Sequence, residues 1–274
     1  MKKFLLLALL LVSTHAFAWE QHLPLIQDSC KVHSPYGFAQ TSKPAQLICR
    51  DGYLSAYDAA AKIPVYVSYT LDPANALGCV VRSNAFVADA SLNGSGATPA
   101  DYVGTGYDKG HMAPDGDLSW NQQSEYESFL MTNMTPQAGS FNRGIWKLLE
   151  TSVRGWSVQL DQTYTLYVGA LYGSGDKTIG KGVVVPHGFY KIVINDNTKE
   201  VAGWEFPHVA PYPNLGNDLT KFRTPLAQIQ KDAGVQFKFP LVFKELPTGK
   251  EWSVDFGKLT QAKKNRCGAN ASID

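Results

Sequence analysis

The pattern of apolar and polar positions along this chain predicts several strands and few helices. From position 63 it reads Ile-Pro-Val-Tyr-Val-Ser-Tyr. These β-branched and aromatic residues, starting at a proline, predict a strand over Ile63 to Tyr69. Leu166 to Leu171 and Gly182 to Val185 read as buried strands, with Gly173-Ser174-Gly175 turning between them. Phe189 to Ile194 is apolar apart from Lys191. It is expected to pair with Val201 to Phe206 across the turn-rich Asn195-Asp196-Asn197. Helical spacing predicts one helix over Asn142 to Arg154 and another over Pro225 to Ala233, stopped by Gly234. Gln123 to Leu130 reads as a further helix. Strands dominate, helices are interspersed and no βαβ rhythm appears, so the expected class is α+β with a mixed sheet.

The first residues follow another pattern. Lys2 and Lys3 precede the apolar stretch Phe4 to Val12, and Ala16-Phe17-Ala18 has the small-residue form of a cleavage site. The stretch is shorter than the roughly 20 residues that span a bilayer. The expectation is a signal peptide over residues 1–18, then one domain over 19–274 in the periplasm or the medium, free of the membrane after cleavage. Asn93-Gly94-Ser95-Gly96-Ala97-Thr98-Pro99 reads as a surface loop rather than a domain boundary. An exported chain with Cys30, Cys49, Cys79 and Cys267 is expected to form two disulfides. Three pairings are open; Cys30–Cys49 with Cys79–Cys267 is preferred because its first pair is close in sequence. No C-x2-C spacing is present, which argues against a zinc site built from the four thiols.

Charge narrows the function classes. Lys and Arg number 25 against 24 Asp and Glu, a formal net charge of +1. Proteins that hold long nucleic acids by counterion release carry a clear basic excess. Any phosphate affinity here must come from a local patch, and Lys109, Arg143, Lys147 and Arg154 supply one. The chain has no H-E-x-x-H, no G-x-S-x-G, no Walker loop and no dinucleotide fingerprint, so no organic cofactor is expected.

The candidate chemistry lies in Asp108-Lys109-Gly110-His111-Met112-Ala113-Pro114 and in Phe141-Asn142-Arg143-Gly144-Ile145-Trp146 with Glu150 beyond it. Gly110 lets the backbone turn sharply and expose His111. An imidazole titrating near its ordinary ~6.5 is largely neutral at pH 7 and can take a proton from water. Asn142 is a neutral oxygen donor of the kind that suits Mg²⁺, which keeps most of its waters; it is equally a favoured helix N-cap. Asn142, Trp146, Glu150 and Arg154 recur every fourth position, a stripe that drifts slowly around one helix. Arg154 then either contacts phosphate or forms an exposed i,i+4 pair with Glu150 worth about 0.3–0.5 kcal/mol.

These segments resemble the DNA/RNA non-specific endonuclease family, which has a ββα-metal (His-Me finger) site. The likeness is strongest from Tyr107 to Arg154 and extends more weakly from Pro64 to Phe239. It implies a largely antiparallel central sheet with packed helices and the metal finger at one side. It also implies Mg²⁺-dependent hydrolysis of phosphodiester bonds in DNA and/or RNA without strong sequence specificity, with Mn²⁺ as a substitute ion. In that scheme His111 is the general base, Asn142 the metal ligand, and Glu150 binds the water shell of the ion. Arg154 and Arg82, the latter in Arg82-Ser83-Asn84-Ala85-Phe86, are further cations of the site. Asp108 and Asn133 take supporting places. Where the family has Arg, this chain has Lys109, one mobile charge in place of a planar fork. His187 and His208, each beside a proline, read as structural. Two other readings stay open: a secreted module that binds nucleic acid without turnover, and a phosphodiesterase for a non-nucleic substrate. The motifs do not choose between DNA and RNA, and they do not encode whether an inhibitor protein binds.

Overall fold

The apolar runs assemble into a seven-stranded sheet. The computed structural model describes residues 30–271, so the expected signal peptide lies outside the described residues. In chain order the strands used below are β1 (Gln46–Cys49), β2 (Leu54–Asp58), β3 (Ile63–Leu71), β4 (Tyr107–His111), β5 (Met134–Ala138), β6 (Tyr164–Leu171), β7 (Gly188–Asn195), β8 (Glu200–Pro207) and β9 (Lys244–Glu245). The sheet order is β9-β8-β7-β6-β3-β2-β1. Its pairings are antiparallel except β8 with β9. The α+β class and the largely antiparallel sheet are therefore as expected.

Every residue of β6 and β7 is buried. Such largely apolar runs, buried at every position, form where both faces of a sheet are covered. The helices used below are α1 (Asp115–Leu118), α2 (Gln122–Ser128), α3 (Lys147–Leu160), α4 (Leu226–Ala233) and α5 (Phe256–Cys267). Trp204 of β8 stacks on Trp156 of α3, ring centres 6.0 Å apart. The next residue back, Gly203, faces the opposite side, where a Cβ would lie 2.6 Å from Ile229 Cδ1 of α4. Alternation along one strand thus presents a large ring to one layer and bare backbone to the other.

β3 and β6 are neighbours in the sheet, yet the chain leaves the sheet between them over residues 72–163. This excursion contains the β4–β5 pair, α1, α2 and α3. It also contains every candidate site residue named from the sequence.

Several local expectations hold. Phe189 lies opposite Phe206 and Ile194 opposite Val201. Helix α4 ends at Gly234, whose φ of +64° is the left-handed conformation a C-terminal glycine supplies. One expectation fails. Val183–Val184 does not join the main sheet but pairs with Thr178–Ile179 in a small separate hairpin. Gly180 and Gly182, at φ +48° and +88°, supply the left-handed positions of the turn that lets Val183–Val184 fold back on its nearest neighbour in sequence. The sequence reading also missed β1, β2, β4, β5, β9, α1 and α5.

The disulfides are Cys30–Cys49 and Cys79–Cys267, the preferred pairing. The second ties the end of α5, which packs on α3, to the segment that leads into Arg82. The two bridges close loops of very different size, with sequence separations of 19 and 188. Loop-closure entropy predicts that Cys79→Ser/Cys267→Ser destabilises by about 2 kcal/mol more than Cys30→Ser/Cys49→Ser. Urea unfolding of the two double variants checks this. Equal losses would mean that restriction of the unfolded chain is not the main contribution of the longer bridge.

Candidate active site

The finger begins with β4 and β5, paired so that His111 lies opposite Met134 and Gly110 opposite Thr135. Gly110 is therefore inside a strand and makes no sharp turn. Its lack of a side chain serves packing instead: a Cβ would collide with the Gln137 side chain. His111 closes the strand, and Pro114 leads into α1. Asn133, fully buried, clamps this junction. Its Oδ1 accepts from Ala113 N at 2.9 Å, and its Nδ2 donates to Ala113 O and Ser128 O, both at 2.8 Å. It holds the loop after His111 and does not line the cleft.

The expected helix from Asn142 to Arg154 is not continuous. Residues Asn142–Trp146 form a widened π turn, and Gly144 leaves helical geometry at φ −103°, ψ −117°. Regular α3 starts at Lys147. The unbroken four-residue stripe is thus interrupted at its first interval, because a glycine permits the backbone excursion. Asn142 itself has helical φ −56° and ψ −50°, so it is not an N-cap. Its Nδ2 donates to Asp108 Oδ2 at 3.0 Å, and the Arg143 guanidinium pairs with the same oxygen. Asp108 therefore orients the Asn142 amide and leaves Oδ1 with no hydrogen bond from a described residue.

A cleft of about 270 Å³ is lined by Arg82, Lys109, His111, Asn142, Glu150 and Arg154, with Asp115, Arg143 and Lys147 among its other walls. His111 is 8% exposed and packs against Phe86 and Phe129, ring centres 5.7 and 5.0 Å away. Trp146 Nε1 donates to its carbonyl at 3.3 Å. Its Nε2 is buried and receives no hydrogen bond from the described residues. Burial, helped by the Arg82 charge, pushes the imidazole down to about 3, so the ring is neutral across the physiological range.

The cations are held individually. Arg82 donates through Nε to Asn84 Oδ1 at 2.8 Å, pairs with Asp115 at 3.3 Å and lies over the Phe129 ring. Lys109 Nζ sits 4.8 Å from the centre of the Phe86 ring. Arg154, only 3% exposed, donates to Asp117 Oδ1 at 2.6 Å and Thr151 Oγ1 at 3.1 Å. The other Asp117 oxygen accepts from Tyr69 OH at 2.7 Å. The exposed pair with Glu150, one of the two readings the spacing allowed, does not form; Arg154 makes a buried pair with Asp117, because this face of α3 is pressed on the sheet. Glu150 faces Lys191 of β7 instead, at 3.7 Å.

Two carboxyls of the cleft are strongly perturbed. Burial raises Glu150 to about 7, against Lys191 and Arg154, which favour the carboxylate. Burial raises Asp115 to about 6, opposed chiefly by Arg82. Asp115, Asp117, Tyr69 and Lys191 were not picked from the sequence. Only Lys191 left a signal there, as the one charge in an otherwise apolar strand. Of the two histidines read as structural, His208 is one: Nδ1 donates to Pro186 O at 2.7 Å and Nε2 accepts from Ala138 N at 2.8 Å. His187 is instead half-exposed and pairs with Asp176 at 2.8 Å.

Among the described residues no three His, Cys, Asp or Glu side chains converge on one point. The cleft offers one oriented amide oxygen, on Asn142, with the Glu150 carboxylate behind it. So sparse an oxygen set suits a hydrated hard dication and does not suit a closed zinc or calcium cage.

In protein stripped of divalent ions, the Glu150 carboxyl is expected to titrate near 7, as read by carbon-13 NMR against Glu150→Gln. The folded value lies above that of the unfolded chain, so this group favours the fold at low pH. That contribution is lost as pH rises through 7. A midpoint near the ordinary ~4.3 would show that Lys191 and Arg154 fully offset burial.

A sequence model of the DNA/RNA non-specific endonuclease family matches residues 32–242. The chain is 33% identical to nuclease C1 of Cunninghamella echinulata over 52% of its own length and 60% of that protein. It is 29% identical to human mitochondrial endonuclease G over 70% of this chain and 69% of that one. For a nuclease of Nostoc sp. the identity is 28%, over 77% and 82% of the two chains. The match spans only about three fifths of the length of some relatives, 60% of nuclease C1 and 63% of a mitochondrial nuclease of Schizosaccharomyces pombe. A solved complex of endonuclease G with its inhibitor EndoGI superposes at a TM-score of 0.66. Identity to that chain is 27%, covering 77% of this chain and 90% of the other. With most of the chain matched and the finger strands and following helix in place, the protein belongs to the DNA/RNA non-specific endonuclease family.

Proposed function

We propose that the protein is an exported endonuclease that uses a divalent metal ion to hydrolyse phosphodiester bonds of DNA or RNA. The observation that carries this is a buried, neutral His111 whose Nε2 has no hydrogen-bond partner among the described residues, in a cleft walled by cations and by the oriented Asn142 amide. Neutral Nε2 is the atom that accepts a proton from the attacking water. Phe86 and Phe129 restrict the imidazole, so it is already placed when substrate arrives. Lys109, Arg82 and Arg154 bring positive charge to the phosphate, and the low-dielectric wall around them strengthens that effect. Lys109 puts its charge on one nitrogen where a guanidinium spreads it over a planar fork, so it acts as a point charge. Asn142 Oδ1 is the assigned ligand and Glu150 the acceptor for the hydration shell of the ion. When bound there, Mg²⁺ or Mn²⁺ supplies Lewis-acid stabilisation of charge on the phosphate oxygens. Contacts of this kind address the backbone and carry no sequence information.

The two disulfides support export, as does the predicted signal peptide over residues 1–18, with 19–274 as a single catalytic domain. The endonuclease G of the solved complex is held by an inhibitor protein. That complex is compatible with an inhibitor protein as a partner here, besides the nucleic acid.

His111→Ala is expected to lose about 10²–10⁴-fold in turnover with the fold intact. Plasmid and RNA digestion by a variant of verified structure checks it, and more than half the wild-type rate would sink the general-base role. Excess EDTA should abolish cleavage by the wild type. Asn142→Ala should weaken Mn²⁺ binding in calorimetry at least tenfold, since Asn142 is the assigned protein ligand. Unchanged binding would remove it from that place.

A further inference from the structure

Lys191 sits in the middle of β7 with no exposed surface. Its neighbours across the sheet are Val168 and Trp204. Its Nζ lies 3.7 Å from Glu150 Oε1 and 4.4 Å from the centre of the Trp146 ring. Neither that Nζ nor that Oε1 has a hydrogen-bond partner among the described residues. The Lys191 amine and the Glu150 carboxyl group face each other across the interface between sheet and helix, where burial disfavours the charged form of both and each favours the charge of the other.

Stability does not explain this lysine. Desolvating two charges offsets most of their attraction, and an apolar pair of the same shape is often as stable or more so. Every neighbouring position in β7 is filled by a residue that avoids this cost. Glu150, by contrast, lines the cleft, and burial alone disfavours its charged form. A cation directly beneath it counters that tendency, and the Trp146 ring face stabilises the cation in turn. Arg154 also favours the carboxylate but hydrogen-bonds Asp117, whereas Lys191 faces Glu150 Oε1 directly and is the larger influence on it.

We infer that Lys191 is a positioning residue, which holds the Glu150 carboxyl group from beneath so that it faces the cleft. Lys191 does not line the cleft and acts only through Glu150. The inference rests on the nuclease reading of the cleft for its effect on rate, but not for the existence of the pair.

The test is a double-mutant cycle on Lys191→Met and Glu150→Gln, with Lys191→Arg as the conservative variant. Thermal unfolding in EDTA reads the pair without reference to activity. Each single variant should melt below the wild type, because it strands one buried charge, and the double variant should recover much of the loss. Additive losses in melting overturn the pair, whether or not the wild type cleaves nucleic acid. Steady-state cleavage at saturating Mg²⁺ reads the positioning role. Lys191→Met should lower kcat about tenfold or more with KM little changed, and Lys191→Arg should recover part of it. In the Glu150→Gln background, Lys191→Met should change kcat less than twofold. An equal loss in both backgrounds, or wild-type kcat in Lys191→Met, overturns the inference. A wild type that cleaves neither DNA nor RNA overturns the nuclease reading separately, and the melting cycle still decides the pair.

Discussion

The burial of charge between helix α3 and the central sheet is the constraint on which the site depends. Arg154 meets Asp117 and Tyr69 there, and Glu150 meets Lys191. A charge removed from water needs a partner at a fixed distance, so these pairs tie the helix to β3, β7 and α1 at specific points. Apolar packing by Trp146, Trp156 and Trp204 brings the layers together but tolerates sliding. The ion pairs determine which face of α3 reaches the cleft, and so where Glu150 and Arg154 stand relative to His111.

The same principle explains why the cleft is built on an excursion from the sheet. Residues 72–163 leave at β3 and return at β6, two strands locked side by side by hydrogen bonds. Both ends of the excursion are therefore rigid. Inside it, the Asn133 amide pins the turn after His111, the Cys79–Cys267 bridge tethers the approach to Arg82, and Asp108 holds Asn142. Preorganisation of this kind matters because charge stabilisation is worth most when the groups need not move during the reaction.

Electrostatics are arranged locally. The chain is almost neutral overall, yet Arg82, Lys109, Arg143, Lys147 and Arg154 share one cleft. Each of Arg82, Arg143 and Arg154 is partly neutralised by a named aspartate, which fixes its guanidinium in place. Lys109 is placed by an aromatic face. That contact is compatible with a flexible ammonium, so the lysine at this position keeps a defined location without the planar fork of an arginine.

The sequence by itself determined the α+β class, the strand partners Phe189–Phe206 and Ile194–Val201, the stop at Gly234 and many of the residues that line the cleft, though not Asp115. These are written in local signals: apolar runs, turn residues, and motif residues such as His111 and Asn142 whose chemistry is their own. β4 and β5 were invisible because Tyr-Asp-Lys-Gly-His has no apolar alternation; pairing with a distant segment makes it a strand. The kink at Gly144 was hidden because a glycine permits a π turn without requiring one. Only the tertiary structure decided that Gly110 serves packing against Gln137, that Arg154 pairs with Asp117 and not with Glu150, and that Lys191 lies beneath Glu150. Each is a contact between residues far apart in the chain, and burial there sets both the partner of a charge and its ionisation.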